Sequence, residues 1–75
     1  MGRLEKLFRY INEYNKYAVA YYVNEDNNYY YFKINKGYTT EISKNRLNEL
    51  SDIKLIFEAK NILINYCLFF CENNN

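Results

Sequence analysis

The chain has no histidine, no tryptophan and no proline, and its 75 residues include only two glycines, two cysteines and one methionine. Each absence removes a class of chemistry. Without histidine, neither the commonest general base nor a Ser-His-Asp or Cys-His arrangement can be built. With Gly2 and Gly37 alone there is neither a phosphate-cradling loop nor a dinucleotide-binding fingerprint. Cys67 and Cys71 supply at most two of the four ligands of a structural zinc site. On a strand their Cα atoms would stand roughly 13 Å apart, beyond the ~7 Å reach of a disulfide. They read as two small buried hydrophobes in a reducing compartment. A nucleophilic cysteine needs an electropositive opening, and Cys67 is flanked by Tyr66, Leu68 and Phe69. Carboxylates remain, but Glu25 and Asp26 are neighbours whose side chains diverge on an extended segment, which suits a solvated turn. The expectation is a non-enzyme with no catalytic residue, no metal and no cofactor.

Long apolar runs are missing as well. The longest, Ile62 to Cys71, is broken by Asn65 and is about half the ~20 residues of a membrane-spanning helix. The segment Met1-Gly2-Arg3-Leu4-Glu5-Lys6 is charged at close intervals and has no apolar signal core. A soluble, cytoplasmic protein without a membrane partner is expected. Ten Lys plus Arg against nine Asp plus Glu leave a formal charge of +1, too small for the broad basic field of non-specific nucleic-acid binding.

What is present is aromatic and apolar. Hydrophobic residues make up 49% of the chain and charged residues 25%, a globular rather than disordered composition. At this length one domain over residues 1–75 is expected, burying about 60% of its unfolded surface around a thin core. Asn, Lys, Ile, Tyr and Phe together exceed half of the sequence. Their codons are rich in A and T, a bias found in some bacteria, their phages and mobile elements, so part of the tyrosine excess is attributable to genome composition.

Patterning gives the order of elements. Leu4, Leu7, Phe8, Ile11 and Tyr14 recur at three- and four-residue steps and predict an amphipathic helix over Arg3 to Asn15. Tyr17 to Val23 and Tyr29 to Asn35 are rich in β-branched and aromatic residues and flank the turn-forming run Asn24 to Asn28, which predicts a hairpin. Asn35-Lys36-Gly37 leads to a third strand, Tyr38 to Ile42, with Gly37 assigned the left-handed position of the turn. Pairing Val23 with Tyr29 and Ile34 with Tyr38 collects Ala18, Ala20, Tyr22, Tyr30, Phe32, Ile34, Tyr38, Thr40 and Ile42 on one face, taken as the core side. Ser43 suits an N-cap for a short helix, Lys44 to Leu50.

From Ile53 onward two periods compete. Alternation of Ile53, Leu55, Phe57 and Ala59, then Ile62, Ile64, Tyr66, Leu68 and Phe70, with Lys60-Asn61 as the turn, predicts a second hairpin. A continued helix is the alternative, and it forces Lys60 onto an apolar face. Both faces of the segment are apolar, which marks central strands or a subunit contact and leaves a homodimer open. Glu72 to Asn75 reads as a frayed polar tail. The expected fold is α+β, in the order α-β-β-β-α-β-β.

The side of the hairpin opposite the core carries Tyr17, Val19, Tyr21, Val23, Tyr29, Tyr31 and Lys33. Rigid aromatic rings with hydroxyl tips are what the centres of protein interfaces favour. A partner-binding face is therefore expected, made of Tyr17, Tyr21, Tyr29, Tyr31 and Lys33 with Glu25, Asp26 and Asn27 of the loop. The alternatives are a nucleic-acid platform, in which the rings stack on bases while Lys33, Lys36, Lys44 and Arg46 hold phosphates, and a face simply covered by the C-terminal hairpin.

The order helix, three-stranded meander, helix over Arg3 to Leu50 resembles that of some small phage-encoded inhibitors of bacterial defence nucleases, including anti-CRISPR proteins. The resemblance implies a protein that acts by occupying the surface of a host protein or complex. Well-known members of that kind are strongly acidic and mimic nucleic acid, and this near-neutral chain departs from them there.

Overall fold

The computed structural model describes residues 2–73. Its elements are α1 (Gly2–Tyr14), β1 (Ala20–Glu25), β2 (Tyr29–Ile34), β3 (Tyr38–Ser43), α2 (Lys44–Glu49) and α3 (Asp52–Asn73). The three strands form one antiparallel sheet in the order β1-β2-β3. The α+β class, the leading helix on a meander and the short second helix are as the sequence patterning predicts.

The stripe of α1 is the centre of the core. Leu4, Leu7 and Ile11 are almost fully buried, and Phe8 lays its ring 5.1 Å from that of Phe32 in the sheet. Ala18, Phe32, Ile34 and Ile42 close the sheet side, and Leu47, Leu55, Ala59, Ile62 and Leu63 close the helical side. Ser43 caps α2 by accepting a hydrogen bond from the Arg46 amide, and Arg3 donates from Nε to the Leu47 carbonyl, joining the start of α1 to α2.

The C-terminal hairpin is not formed: Asp52 to Asn73 is a continuous 22-residue helix. The buried set Leu55, Ala59, Ile62 and Leu63 explains why. Ile62 and Leu63 are adjacent and both inside, which a strand cannot arrange but a helical stripe does. No glycine or proline interrupts the segment, and Ser51 starts the helix, its hydroxyl accepting from the Lys54 amide at 3.3 Å. Lys60 does fall on an apolar side, and its ammonium rests over the rings of Tyr14 and Phe57, 5.2 and 5.8 Å from their centroids. Cys67 and Cys71 are exposed on this helix rather than buried on a strand. Glu72 and Asn73 continue α3 instead of fraying, and the last two residues of the expected tail lie outside the described ones. Among the described residues no helix is long and apolar enough to cross a membrane.

The β2–β3 pairing matches expectation, with Ile34 opposite Tyr38. The turn between them is built differently: Asn35, not Gly37, takes the left-handed conformation, with φ 56°. Asparagine tolerates that region through local hydrogen bonding. Here its Oδ1 accepts from the Val19 amide at 3.2 Å and its Nδ2 donates to the Tyr66 hydroxyl at 2.9 Å, so one side chain ties the turn to both the residue preceding β1 and α3. The β1–β2 register is displaced by two residues from the predicted one, with Ala20 opposite Ile34, and a bulge follows between Tyr22 and Asn24. A displacement of two keeps each face intact, so Ala20 and Tyr22 still share a side with Phe32 and Ile34.

Candidate functional site

The hairpin tip is organised by Asp26. Its Oδ1 accepts from the amides of Asn28 and Tyr29 at 2.8 and 2.7 Å, and its Oδ2 accepts from the Tyr31 hydroxyl at 2.7 Å. The Asp26 amide in turn donates to the Tyr29 carbonyl at 3.0 Å. A five-residue open loop is thereby tightened into a turn closed at Asp26 and Tyr29, which lengthens β1 to Glu25 and forces the bulge at Val23. The Tyr31 hydroxyl, followed by the two amides, holds the Asp26 carboxyl below its ordinary range. The same hydrogen bond raises the Tyr31 phenol to about 12.

On the opposite side of the tip a second polar group has assembled. Lys44, at the start of α2, donates to Glu25 at 2.6 Å and lies 5.0 Å from the centroid of the Tyr30 ring. The Tyr22 hydroxyl donates to the other Glu25 oxygen at 3.0 Å. Glu25 is pushed down in pKa by Lys44 first and Tyr22 second, while Tyr22 and Lys44 are raised by the carboxylate. The Lys44 amide also donates to the Asn28 carbonyl at 2.8 Å. The loop is therefore pinned to the β3–α2 junction.

These contacts divide the sequence-predicted site residues. Tyr21 and Tyr29 are on the outer face, 42 and 37% exposed, with Val23 of the bulge at 41%. Tyr31 and Lys33 share that face but are half-buried, and the Tyr29 and Tyr31 rings lie 6.3 Å apart. Asn27 is exposed at the tip. Tyr17 is 77% exposed but lies in the α1–β1 connection, because β1 begins only at Ala20. Glu25 turns to the inner side and is occupied by Lys44 and Tyr22, and Asp26 is occupied by Tyr31 and two amides. Both side chains remain exposed at the tip that these bonds shape.

The outer face is not basic. Cross-strand pairing puts Tyr21 beside Lys33, Lys33 beside Thr39 and Tyr31 beside Glu41, so the one lysine of the sheet face is offset by Glu41. The expectation of a face covered by the C-terminal segment does not hold for Tyr21 and Tyr29, because that segment is a helix whose buried residues join α1 in the core. Sequence reasoning missed the Glu25–Lys44–Tyr22 group, which depends on the two-residue displacement and bulge. It also missed an exposed apolar strip on α3, visible in the three- and four-residue steps that follow Ile53. Among the described residues no three His, Cys, Asp or Glu side chains are grouped to hold a metal ion.

Comparison with protein-family models, with curated proteins and with solved structures gives no match.

Proposed function

We propose that the protein is a non-enzymatic binding module that engages another protein through the outer face of its sheet and the Asp26-organised tip. The observation that carries this reading is the exposure of Tyr21, Val23 and Tyr29 on one side of a sheet whose other side buries Phe32, Ile34 and Ile42, although Tyr22, expected in the core on that inner side, is itself 42% exposed at the β1 edge. Such rings lose few torsions on binding, and the tip beside them is held rigid by its own hydrogen bonds, which lowers the ordering cost of association. The nucleic-acid alternative is disfavoured by Glu41, which offsets Lys33 on the same face, since phosphates would meet a face with no net positive charge.

The narrower version is an inhibitor from a phage or mobile element that occupies the surface of a host complex, as anti-CRISPR proteins do. It rests on the chain's size, its A+T-rich composition and the order of elements from α1 to α2. Its setting would be the host cytoplasm.

Tyr21→Ala and Tyr29→Ala, combined, test the binding face, because both rings are exposed on the sheet. Capture of a partner from a lysate of the source organism should fall at least tenfold, while the melting temperature stays within a few degrees of the parent. Unchanged capture, or a collapse in stability, sinks the proposal.

A further inference from the structure

The outward side of α3 takes no part in the core. Ile53, Phe57, Ile64 and Leu68 are 68, 57, 56 and 58% exposed, with Cys67 and Cys71 exposed beside them. Along the helix, Ile53, Phe57, Lys60, Ile64, Cys67 and Cys71 follow one another by alternating steps of four and three residues. This is the spacing of a two-helix seam, in which each side chain enters a hole between four residues of a facing helix. A helix that only shields one core needs one apolar stripe. α3 has two, because Leu55, Ala59, Ile62 and Leu63 already face inward.

We propose that two copies of the chain associate as a two-fold symmetric dimer, with α3 packed antiparallel on α3 along this strip. A second helix of matching spacing is what the steps of four and three accept, and α3 is such a helix. The strip itself lines a groove of about 570 Å³, where Phe57, Lys60, Ile64, Cys67 and Cys71 meet Tyr14 of α1, and this groove would receive the partner's side chains. Ile53, Phe57, Ile64, Leu68 and Tyr14 are 48 to 68% exposed, which for side chains of this size supplies on the order of 500 Å² of apolar surface. With the cysteines and the Lys60 stem the strip reaches roughly the 600 Å² per partner of the smallest stable interfaces. From Ile53 to Cys71 the seam is about 27 Å long, nearly three heptads.

Lys60 selects the orientation. Parallel helices would bring both Lys60 ammonium groups into one layer, where like charges repel. Antiparallel pairing about the middle of the strip sets Lys60 against the partner's Ile64, Phe57 against the partner's Cys67 and Ile53 against the partner's Cys71. The Lys60 stem then covers apolar surface while its head remains over Tyr14. A lipid surface is a poorer fit, because the charges of α3, Asp52, Lys54, Glu58, Lys60 and Glu72, lack the basic border of interfacial helices.

Sedimentation velocity on the full chain, with and without Ile64→Glu, tests the proposal. The parent should sediment as a dimer at micromolar concentration. The variant should be monomeric with an unchanged circular dichroism spectrum, since position 64 is outside the core. For orientation, a chain with Ile53→Cys and Cys67→Ser should form an intermolecular disulfide between the introduced thiol and the partner's Cys71 on mild oxidation. A parent that stays monomeric at millimolar concentration, or an Ile64→Glu chain that still dimerises, overturns the proposal. So does a parent that is readily cross-linked through two Cys67 thiols, which this antiparallel register keeps about 15 Å apart along the helix, or a monomer that floats with phosphatidylcholine vesicles. The Tyr21 and Tyr29 alanine variant should remain dimeric, so failure of the binding face and failure of the dimer are separable.

Discussion

At the scale of single residues, the hairpin tip turns two ordinary side chains into a matched pair. The Tyr31 phenol donates to Asp26 and is raised to about 12, while the carboxylate is held down by that phenol and by the amides of Asn28 and Tyr29. The two shifts bound a pH window from opposite ends. Asp26, depressed in the folded state, contributes stability that is complete above the ordinary carboxylate range and lost as pH falls through its lowered folded value. Tyr31, raised, contributes stability that is complete below the ordinary phenol value near 10 and lost as pH rises toward about 12. Ultraviolet absorbance titration should therefore show the Tyr31 phenol ionising near pH 12, above the ordinary phenol value near 10. Asp26→Asn should return it toward the ordinary range and loosen the tip. A late phenol that persists in Asp26→Asn would show that another group raises it. None of this was legible in the sequence, where Asp26 was one acidic residue in an Asn-rich run. Its bond to Tyr31 depends on the turn it closes itself.

At the scale of elements, the connection between β2 and β3 separates what composition suggests from what geometry requires. Gly37 looked like the left-handed residue, yet Asn35 holds that conformation, and a Cβ at Gly37 would meet nothing within 4 Å. Gly37→Ala should consequently be neutral or stabilise by up to about 1 kcal/mol through the unfolded chain. Asn35→Ala should cost about 2 kcal/mol, because alanine at positive φ is strained and the hydrogen bonds to Val19 and Tyr66 are lost. Urea unfolding of both variants checks the order, and equal effects would contradict it. The helix α1, the Ser43 cap and the β2–β3 register were legible because each rests on a local rule: a 3.6-residue stripe, a hydroxyl before a helix, a short loop between alternating segments. The C-terminal element was not. Ile53 to Phe70 satisfies the period of two and the period of 3.6 together, and the choice is made by which side chains α1 can cover. The same ambiguity hid the outer strip, since a segment apolar on every side does not announce which of its faces remains open.

At the scale of the whole molecule, the core is small enough for one side chain to decide whether the chain folds. Phe32 is fully buried in the middle strand and meets Phe8 of α1 across the layer, so it joins sheet to helix. Truncating a buried phenylalanine costs about 3–5 kcal/mol, and a core of this size supplies only about 3–5 kcal/mol of net stability. The two quantities are comparable. Phe32→Ala should thus be largely unfolded at room temperature, with the helical circular dichroism signal lost in one transition with the sheet, because α1 is shared by both layers. If α3 pairs with a second copy, association adds to this stability by mass action, and the melting temperature of the parent should rise with protein concentration. Phe32→Ala should then regain part of its structure as concentration increases. A truncated chain that kept a cooperative melt close to the parent's would instead show that α1 and α3 hold together without the sheet, and that Phe32 does not join the layers.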